Sequence, residues 1–407
     1  MTRRYGIVGL GHRAQMYLDA LAGEWRDTGR IVGFCDPNRT RMAHYKDRLG
    51  VPVRFYRPDE FPALLRTVDA LIVTSVDATH ADYVCAALDA GVDVIVEKPL
   101  TIDEEGCARI AAAATRSPAK LVVTFNYRYS PRNSAVKELV ASGRIGRVTA
   151  VHFEWFLDTV HGADYFRRWH RRREFSGGLL VHKSTHHFDL VNWWLGTAPE
   201  LVFAQTGRHF YGAENRPADA GDFTIDLAGD PRLKALYLDA QHDDGYDRNQ
   251  DVFGDGVDID DTMSVLVRYA GSAVMTYALN AYSPREGYRV TISGTKGRLE
   301  LDVCERAWAP PRSAIDPSAD RGAYERLTVQ DHWRPIEEIP IVPGAGAHGG
   351  GDALLLDDVF RGPGEDPLAR QAGWRDGIRS VLTGVAADRS ARTGRPVRLS
   401  PEGLTPG

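Results

Sequence analysis

The chain has 407 residues, of which 43% are hydrophobic and 26% charged, with a formal net charge of −5. That length predicts two domains with a large buried core, and the negative balance excludes a general nucleic-acid binder. No apolar run is long enough to span a bilayer. The four cysteines Cys35, Cys85, Cys107 and Cys304 form no CxxC pair. They fit reduced thiols in a cytoplasmic protein, not a disulfide framework or a zinc site.

The opening "YGIVGLGHRA" is an apolar strand, a glycine-rich turn and the start of a helix. Gly9 permits the tight turn, Gly11 lets a pyrophosphate approach the backbone, and Ala14 allows close helix–strand packing. Phosphates would meet the helix N-terminus, with its unpaired N–H groups and favourable dipole. A second run, "RIVGFCD", ends in Asp36, placed to accept from both hydroxyls of the adenosine ribose. A carboxylate there repels a 2′-phosphate and predicts NAD over NADP, although Arg39 stands close enough to blunt that preference. Asp36 also suits a helix-capping role near Arg39, and both roles are open.

Further strand-like runs follow at 70–75, 92–99 and 121–126, separated by helical stretches at 80–90 and 103–116. Continuous apolar strands alternating with helices imply a parallel sheet covered on both faces. Ligands bind beyond the carboxyl ends of such strands, which here carry Gly9, Asp36, Thr74, Ser75, Glu97, Lys98 and Asn126. Lys98, between an apolar strand and Pro99, can stabilise a developing alkoxide; alternatively it is a surface lysine paired with Glu97.

The stretch "SGGLLVHKSTHHFDLVNWWLG" reads as one helix ending at Gly196, with His182, His186 and Asp189 on one face. Two histidines at i, i+4 would suit zinc, but Lys183 occupies the place of the glutamate in HExxH, so no metal is predicted. A buried histidine pair is the rival reading. Upstream, "YFRRWHRRREF" holds five arginines in seven residues. It is either a solvated basic face or a clamp for an anionic group, with Tyr165 and Trp169 suited to stacking on a sugar ring. Short alternating runs between 147 and 302 predict antiparallel strands with one polar face. The stretch 239–261 has nine aspartates. It reads as a solvated insertion whose acids would bind a divalent ion or meet the arginine run. A surface loop is expected at 307–325, and helices at 352–360 and 370–389.

Together "GLGHRA", "FCDPN", "VTSVDATH", "EKPL", "NYRYSP", "SGGLLVHKSTHHFDLVNWWLG" and "VTISGTKGRLEL" resemble the Gfo/Idh/MocA oxidoreductases, over nearly the whole chain. The resemblance implies an α/β fold: a Rossmann domain at 1–128, an α+β domain with a large, open, mainly antiparallel sheet at 129–360, and a helical segment at 361–407. It implies NAD held by Gly9, Gly11, His12, Arg13, Ala14, Asp36, Arg39, Thr74, Ser75, His80, Glu97, Lys98, Asn126 and Arg128. It implies a cis bond before Pro99, with Lys98 beside substrate and nicotinamide. His186 matches the family's catalytic histidine, while His182 stands where the family has aspartate. The expected catalytic set is Lys98, His186 and His182. The expected substrate contacts add Tyr165, Arg167, Arg168, Trp169, His187 and His348, the last with a glycine-hinge role as the alternative.

The expected reaction is NAD-dependent hydride transfer from a sugar, polyol or glycoside hydroxyl carbon. Two alternatives stand beside it. One is a redox-neutral, NAD-dependent glycoside hydrolase, working by transient oxidation and elimination on an anionic glycoside such as a sulfoquinovoside or glucuronide. The other is a non-catalytic NAD-binding regulator. The expected partners are a small sugar or glycoside and further copies of the chain, as a homodimer or homotetramer paired through the open sheet face.

Overall fold

The computed structural model describes residues 2–312, 322–344, 347–400 and 404–405. The chain forms two compact units, neither contiguous in sequence. The first comprises 1–125, 226–249 and 353–377; the second comprises 126–225, 250–352 and 378–407. The units thus interleave, where the sequence ranges 1–128, 129–360 and 361–407 cut the chain into consecutive pieces.

The first unit is built on a six-stranded sheet: β1 (Arg3–Val8), β2 (Gly29–Cys35), β3 (Arg54–Tyr56), β4 (Ala70–Val73), β5 (Asp93–Val96) and β6 (Leu121–Val123). The order is β3-β2-β1-β4-β5-β6, with every pairing parallel. All four residues of β4 are buried, as expected of a central strand covered on both faces. Helices α1 (Ala14–Ala22), α2 (Arg39–Leu49), α3 (His80–Asp89) and α4 (Glu104–Arg116) connect the strands. α2 is capped by Asn38, whose side chain accepts from the Arg41 amide, not by Asp36. The 353–377 segment completes the unit: Val123 of β6 bridges to Ala372, and Trp25 Nε1 donates to Asp357. Chain order reverses between β1 and β4, so the crevice for a ligand opens at their carboxyl ends.

The second unit carries β7 (Val148–Asp158), β8 (Pro199–Gly207), β9 (Thr262–Tyr269), β10 (Val274–Ser283), β11 (Glu286–Gly294), β12 (Gly297–Arg306), β13 (Tyr324–Asp331), β14 (Glu337–Ile339) and β15 (Val397–Arg398). They form one sheet in the order β14-β13-β12-β11-β7-β10-β9-β8-β15. The expectation of a mainly antiparallel sheet holds, with one parallel pair, β7 with β10, near its centre. β7 does not turn back on itself; its chain leaves through helices before returning, which is what a parallel neighbour requires. Burial alternates along β9 and β10. The inner face, with Phe153, Trp155, Val265, Tyr277 and Tyr288, is buried. The long helix Trp374–Thr393 lies against it, Ser390 Oγ accepting from the Ala204 amide. The other face carries His152, Glu154, Thr276, Arg289 and Thr291.

The expected single helix at 179–196 is in fact two, α6 (Leu179–His182) and α7 (Thr185–Leu195), following α5 (His161–Arg167). The amides of Lys183 and Ser184 both reach back to Leu179 O, and the His186 amide then reaches only to Lys183 O. One widened turn followed by one tightened turn breaks the 3.6-residue repeat, so His182 and His186 no longer share a face by helical spacing. Of the expected 307–325 loop, residues 313–321 lie outside those described and Tyr324 already opens β13; the side chain of His348 also lies outside them.

Candidate active site

In the first unit the glycine-rich turn has the shape a dinucleotide needs. Gly9 has φ +83°, and a Cβ there would overlap the backbone of Ser75. At Gly11 the nearest atom to such a Cβ is the Tyr237 hydroxyl, at 3.7 Å, which leaves open backbone for a diphosphate. α1 has no side-chain N-cap; its first amides, Ala14 and Gln15, turn back onto Gly11 O and His12 O. Ahead of the helix, the His12 N–H donates to Tyr237 Oη at 2.9 Å. Asp36 is buried and accepts from the amides of Leu10 (2.6 Å) and Asn38 (2.8 Å). Burial raises its carboxyl above the ordinary carboxylate value, while those amides and Arg41 pull it back. The residues present therefore fit NAD: open backbone at Gly11 for the phosphates and a fixed acid at Asp36 for the ribose.

Tyr237 belongs to the 226–249 segment, which folds onto this turn. Asn38 Nδ2 donates to Ala240 O, the Thr40 amide to Asp243, and Arg41 to Leu236 O and Asp244. The first part of the acid-rich stretch, 239–249, is thus built into the nucleotide unit, while 250–261 belongs to the second unit. Arg39 is exposed; the arginine facing Asp36 is Arg41, at 3.8 Å.

Thr74 Oγ1 donates to Gly9 O at 2.6 Å, and Ser75 Oγ bonds Thr79 Oγ1. His80 is buried, its Nδ1 at 2.8 Å from Pro99 O, so it ties the end of β4 to the turn after β5. The Lys98–Pro99 bond is cis, as the family resemblance implied. Glu97 is bound by Arg13 Nε (2.6 Å) and Tyr17 Oη (2.7 Å). Burial alone would raise its carboxyl, but Arg13, Tyr17 and Lys98 hold it below the ordinary value. Arg13 and Tyr17, with the Lys98 amide at 3.3 Å, thus surround the Glu97 carboxylate, and the half-buried Lys98 follows it at the strand's carboxyl end.

In the second unit the predicted residues separate into two groups. His182 packs with Tyr165 (ring centroids 5.4 Å), His170 (4.2 Å) and Trp169 (6.0 Å). His186 meets Tyr127 edge-on at 4.9 Å. His187 is fully buried, stacked on Trp155 at 4.1 Å, with Nδ1 at 2.7 Å from Tyr277 Oη; its place is in the packing, not on a substrate surface. Asn126 Nδ2 donates to Asp352 at 2.6 Å. Arg128 makes a two-point bond to Asp189, Nε to Oδ2 at 2.7 Å and Nη2 to Oδ1 at 2.6 Å, with both side chains buried. That geometry braces α7 and ties the Arg128 guanidinium to a buried partner within the second unit.

Much of the arginine run is turned into the fold, with Arg167 and Arg171 buried and Arg172 exposed. Arg171 donates to the carbonyls of Asp251, Gly254 and Asp255. Arg173 pairs with Asp260 and Asp388. Arg167 reaches Phe223 O and Asp164, and Arg168 reaches Asp164. The acid-rich stretch does meet the arginines, partly through its backbone carbonyls. Sequence reasoning missed Tyr237, Arg41, His161, Glu286 and the role of Lys183. Lys183 is buried, with Nζ 4.5 Å above the Trp155 ring, and burial lowers its pKa from the ordinary lysine value. A lone charge inside an apolar helical run was its only signal. Among the described residues no group of three or more His, Cys, Asp or Glu could hold a metal ion, and no helix is long and apolar enough to cross a membrane.

Residues 3–125 match the model for the oxidoreductase family's NAD-binding Rossmann fold, and residues 137–399 match that for its C-terminal alpha/beta domain. The chain belongs to the Gfo/Idh/MocA oxidoreductase family. It is an NAD-dependent oxidoreductase by that membership. It is 36% identical to YteT of Bacillus subtilis, named as an oxidoreductase, over 96% of each chain. It is 28% identical to a myo-inositol 2-dehydrogenase of Thermotoga maritima over 97% of this chain and 98% of that one. The fold resembles that of the WlbA dehydrogenase from Bordetella pertussis, solved with NADH and UDP-GlcNAcA. That match has a TM-score of 0.67 and 20% identity, and covers 98% and 99% of the two chains.

Proposed function

We propose that this family member is a dehydrogenase of a sugar, polyol or glycoside hydroxyl. The observation that carries the reading is one chain holding both a fitted nucleotide cradle and two buried histidines, His182 and His186, on successive helices. The end-to-end match to a myo-inositol 2-dehydrogenase supports it. NAD, when bound, supplies the hydride acceptor. The chain's own residues do the rest. The Gly9–Ala14 turn receives phosphate on its amides, and Asp36 fixes the ribose. Lys98 presents an ammonium to the substrate oxygen and stabilises its negative charge. His186 takes the hydroxyl proton, a task suited to imidazole because its pKa lies near working pH. His182, in place of the family's aspartate, offers a hydrogen bond without a fixed negative charge. Copies of the chain pair through the polar face of the nine-stranded sheet, where a shallow groove of about 550 Å³ is lined by Phe203, Leu266 and Arg289.

The test is a panel of inositols, aldoses, uronates and glycosides incubated with NAD+, read by NADH absorbance. Turnover lost in Lys98→Ala and His186→Ala, with NADH binding retained, supports the reading. Glycoside cleavage that needs NAD+ yet accumulates no NADH would replace it with the hydrolase reading. Cofactor binding with no turnover across the panel would leave a regulator.

A further inference from the structure

The second unit contains a hydrogen-bonded chain of three side chains that the reaction above does not use. Glu286 Oε1 lies 2.8 Å from His161 Nδ1, and His161 Nε2 lies 2.9 Å from Tyr165 Oη. The other carboxylate oxygen, Glu286 Oε2, accepts the Asp158 amide at 2.8 Å. Carboxylate, imidazole and hydroxyl thus stand in the order of a catalytic triad, with both ring nitrogens engaged. His161 and Tyr165 are one turn apart on α5, and Glu286 opens β11. The geometry is fixed from below: a Cβ on Gly162 would overlap the carbonyl of Ala281, so α5 is pressed directly onto β10.

The Glu286 side chain is sealed at 4% exposure, that of His161 keeps 27%, and Tyr165 is buried at 6%. At the far end the Tyr165 ring packs against His182 and His170. We propose that Glu286, His161 and Tyr165 form a proton relay, with Tyr165 as a second acid–base group that acts on a substrate hydroxyl on the His182 side. The proposal rests on the dehydrogenase reading. In the reductive direction the Tyr165 Oη–H bond breaks and its proton bonds to the substrate alkoxide. The Nε2 proton of His161 passes to Tyr165 Oη, and the Oε1 proton of Glu286 passes to His161 Nδ1. The substrate is left as alcohol and Glu286 as carboxylate; no electrons change hands in the relay, and the oxidative direction runs the same transfers backwards and restores the Glu286 acid.

The charges around the relay suit this traffic. Lys183, Asp158, Asp164, Glu305 and Arg306 face it. Burial, then Asp158, raises the Glu286 carboxyl well above the ordinary value. Burial, then Lys183, pushes His161 down to about 3. The pair therefore rests as a carboxylic acid beside a neutral imidazole, so passing a proton toward Tyr165 does not start from a buried ion pair.

The experiment compares wild type, Tyr165→Phe, His161→Asn and Glu286→Gln, each carrying NAD. It records kcat and KM against pH with a substrate from the panel, and NADH affinity separately. Tyr165→Phe is expected to lower kcat roughly 10²–10⁴-fold, with NADH affinity within about threefold. Folded Glu286→Gln is expected to lose one limb of the pH profile. A Tyr165→Phe enzyme with wild-type kcat and raised KM overturns the relay and leaves Tyr165 a binding surface; an unchanged profile in Glu286→Gln also overturns it. In either case activity lost in His186→Ala keeps the dehydrogenase reading intact. A readout without turnover comes from the His161 ring N–H resonance, assigned by its loss in His161→Asn. It is expected to move when saturating inositol is added to wild type, and to stay in place in Tyr165→Phe. A resonance indifferent to inositol overturns the relay.

Discussion

Replacing Arg128 by Met, or Asp189 by Asn, removes one half of a two-point ion pair whose side chains are only 3% and 2% exposed. The partner left behind is a charge sealed away from water. Breaking a buried pair from one side costs about 3–5 kcal/mol, because the remaining ion keeps its desolvation penalty. For a body of 150–250 residues each kcal/mol moves the melting temperature by roughly 2–4 °C, so either variant is expected to melt roughly 6–20 °C below wild type. The double variant Arg128→Met/Asp189→Leu removes both charges and is expected to recover much of the loss, since an apolar replacement of a buried pair is often near neutral. The assay is thermal unfolding by circular dichroism, with NADH titration on the same samples. Arg128→Met that melts like wild type and loses NADH affinity tenfold would refute the reasoning and return Arg128 to the cofactor site.

Gly9→Ala is expected to destabilise the first unit and weaken NADH binding at least tenfold, since its Cβ would overlap the Ser75 backbone at positive φ. Gly50→Ala, at φ +61° with nothing within 4 Å, serves as control and should cost only about 1 kcal/mol with NADH affinity unchanged; equal effects in the two would count against the cradle. Tyr237→Phe removes the acceptor for the His12 amide and should lower stability by about 1 kcal/mol in urea unfolding; an unchanged midpoint would show the bond contributes nothing. Glu97→Gln probes the lowered Glu97 carboxyl. A depressed folded-state pKa gives stability that is full above the ordinary value of 4.5 and fades as pH falls through the folded value. The melting advantage of wild type over Glu97→Gln should therefore be constant near neutrality and shrink in acid; a gap that widens in acid contradicts the sign.

The nucleotide sheet was legible because its signals are local. Apolar strands end in chemistry-bearing residues, and Gly9, Asp36 and "EKP" fall at those ends in register. Five strands of the sheets went unread, β3, β8, β13, β14 and β15. β3, β14 and β15 have two or three residues each, too few for a period-2 pattern to stand out. The break between α6 and α7 was illegible because every residue from 179 to 195 suits a helix; the interruption comes from hydrogen bonds that skip a turn, with Ser184 Oγ bound to Tyr277 Oη. The relay was hidden for a different reason: His161 and Glu286 lie 125 positions apart. The arginine run stayed open between a solvated face and an anion clamp because the carbonyls and acids that answer its members lie up to 215 positions downstream.

The bridge between Val123 and Ala372 has a consequence for biosynthesis. A ribosome releases the first six strands long before residues 353–377 emerge, so the edge strand of the nucleotide sheet waits uncapped while eight of the nine strands of the second sheet are translated. Translation order and folding order must therefore diverge: the unit begun first cannot close until residue 377 has emerged, and a fragment ending at residue 125 would be a sticky intermediate in need of chaperone cover.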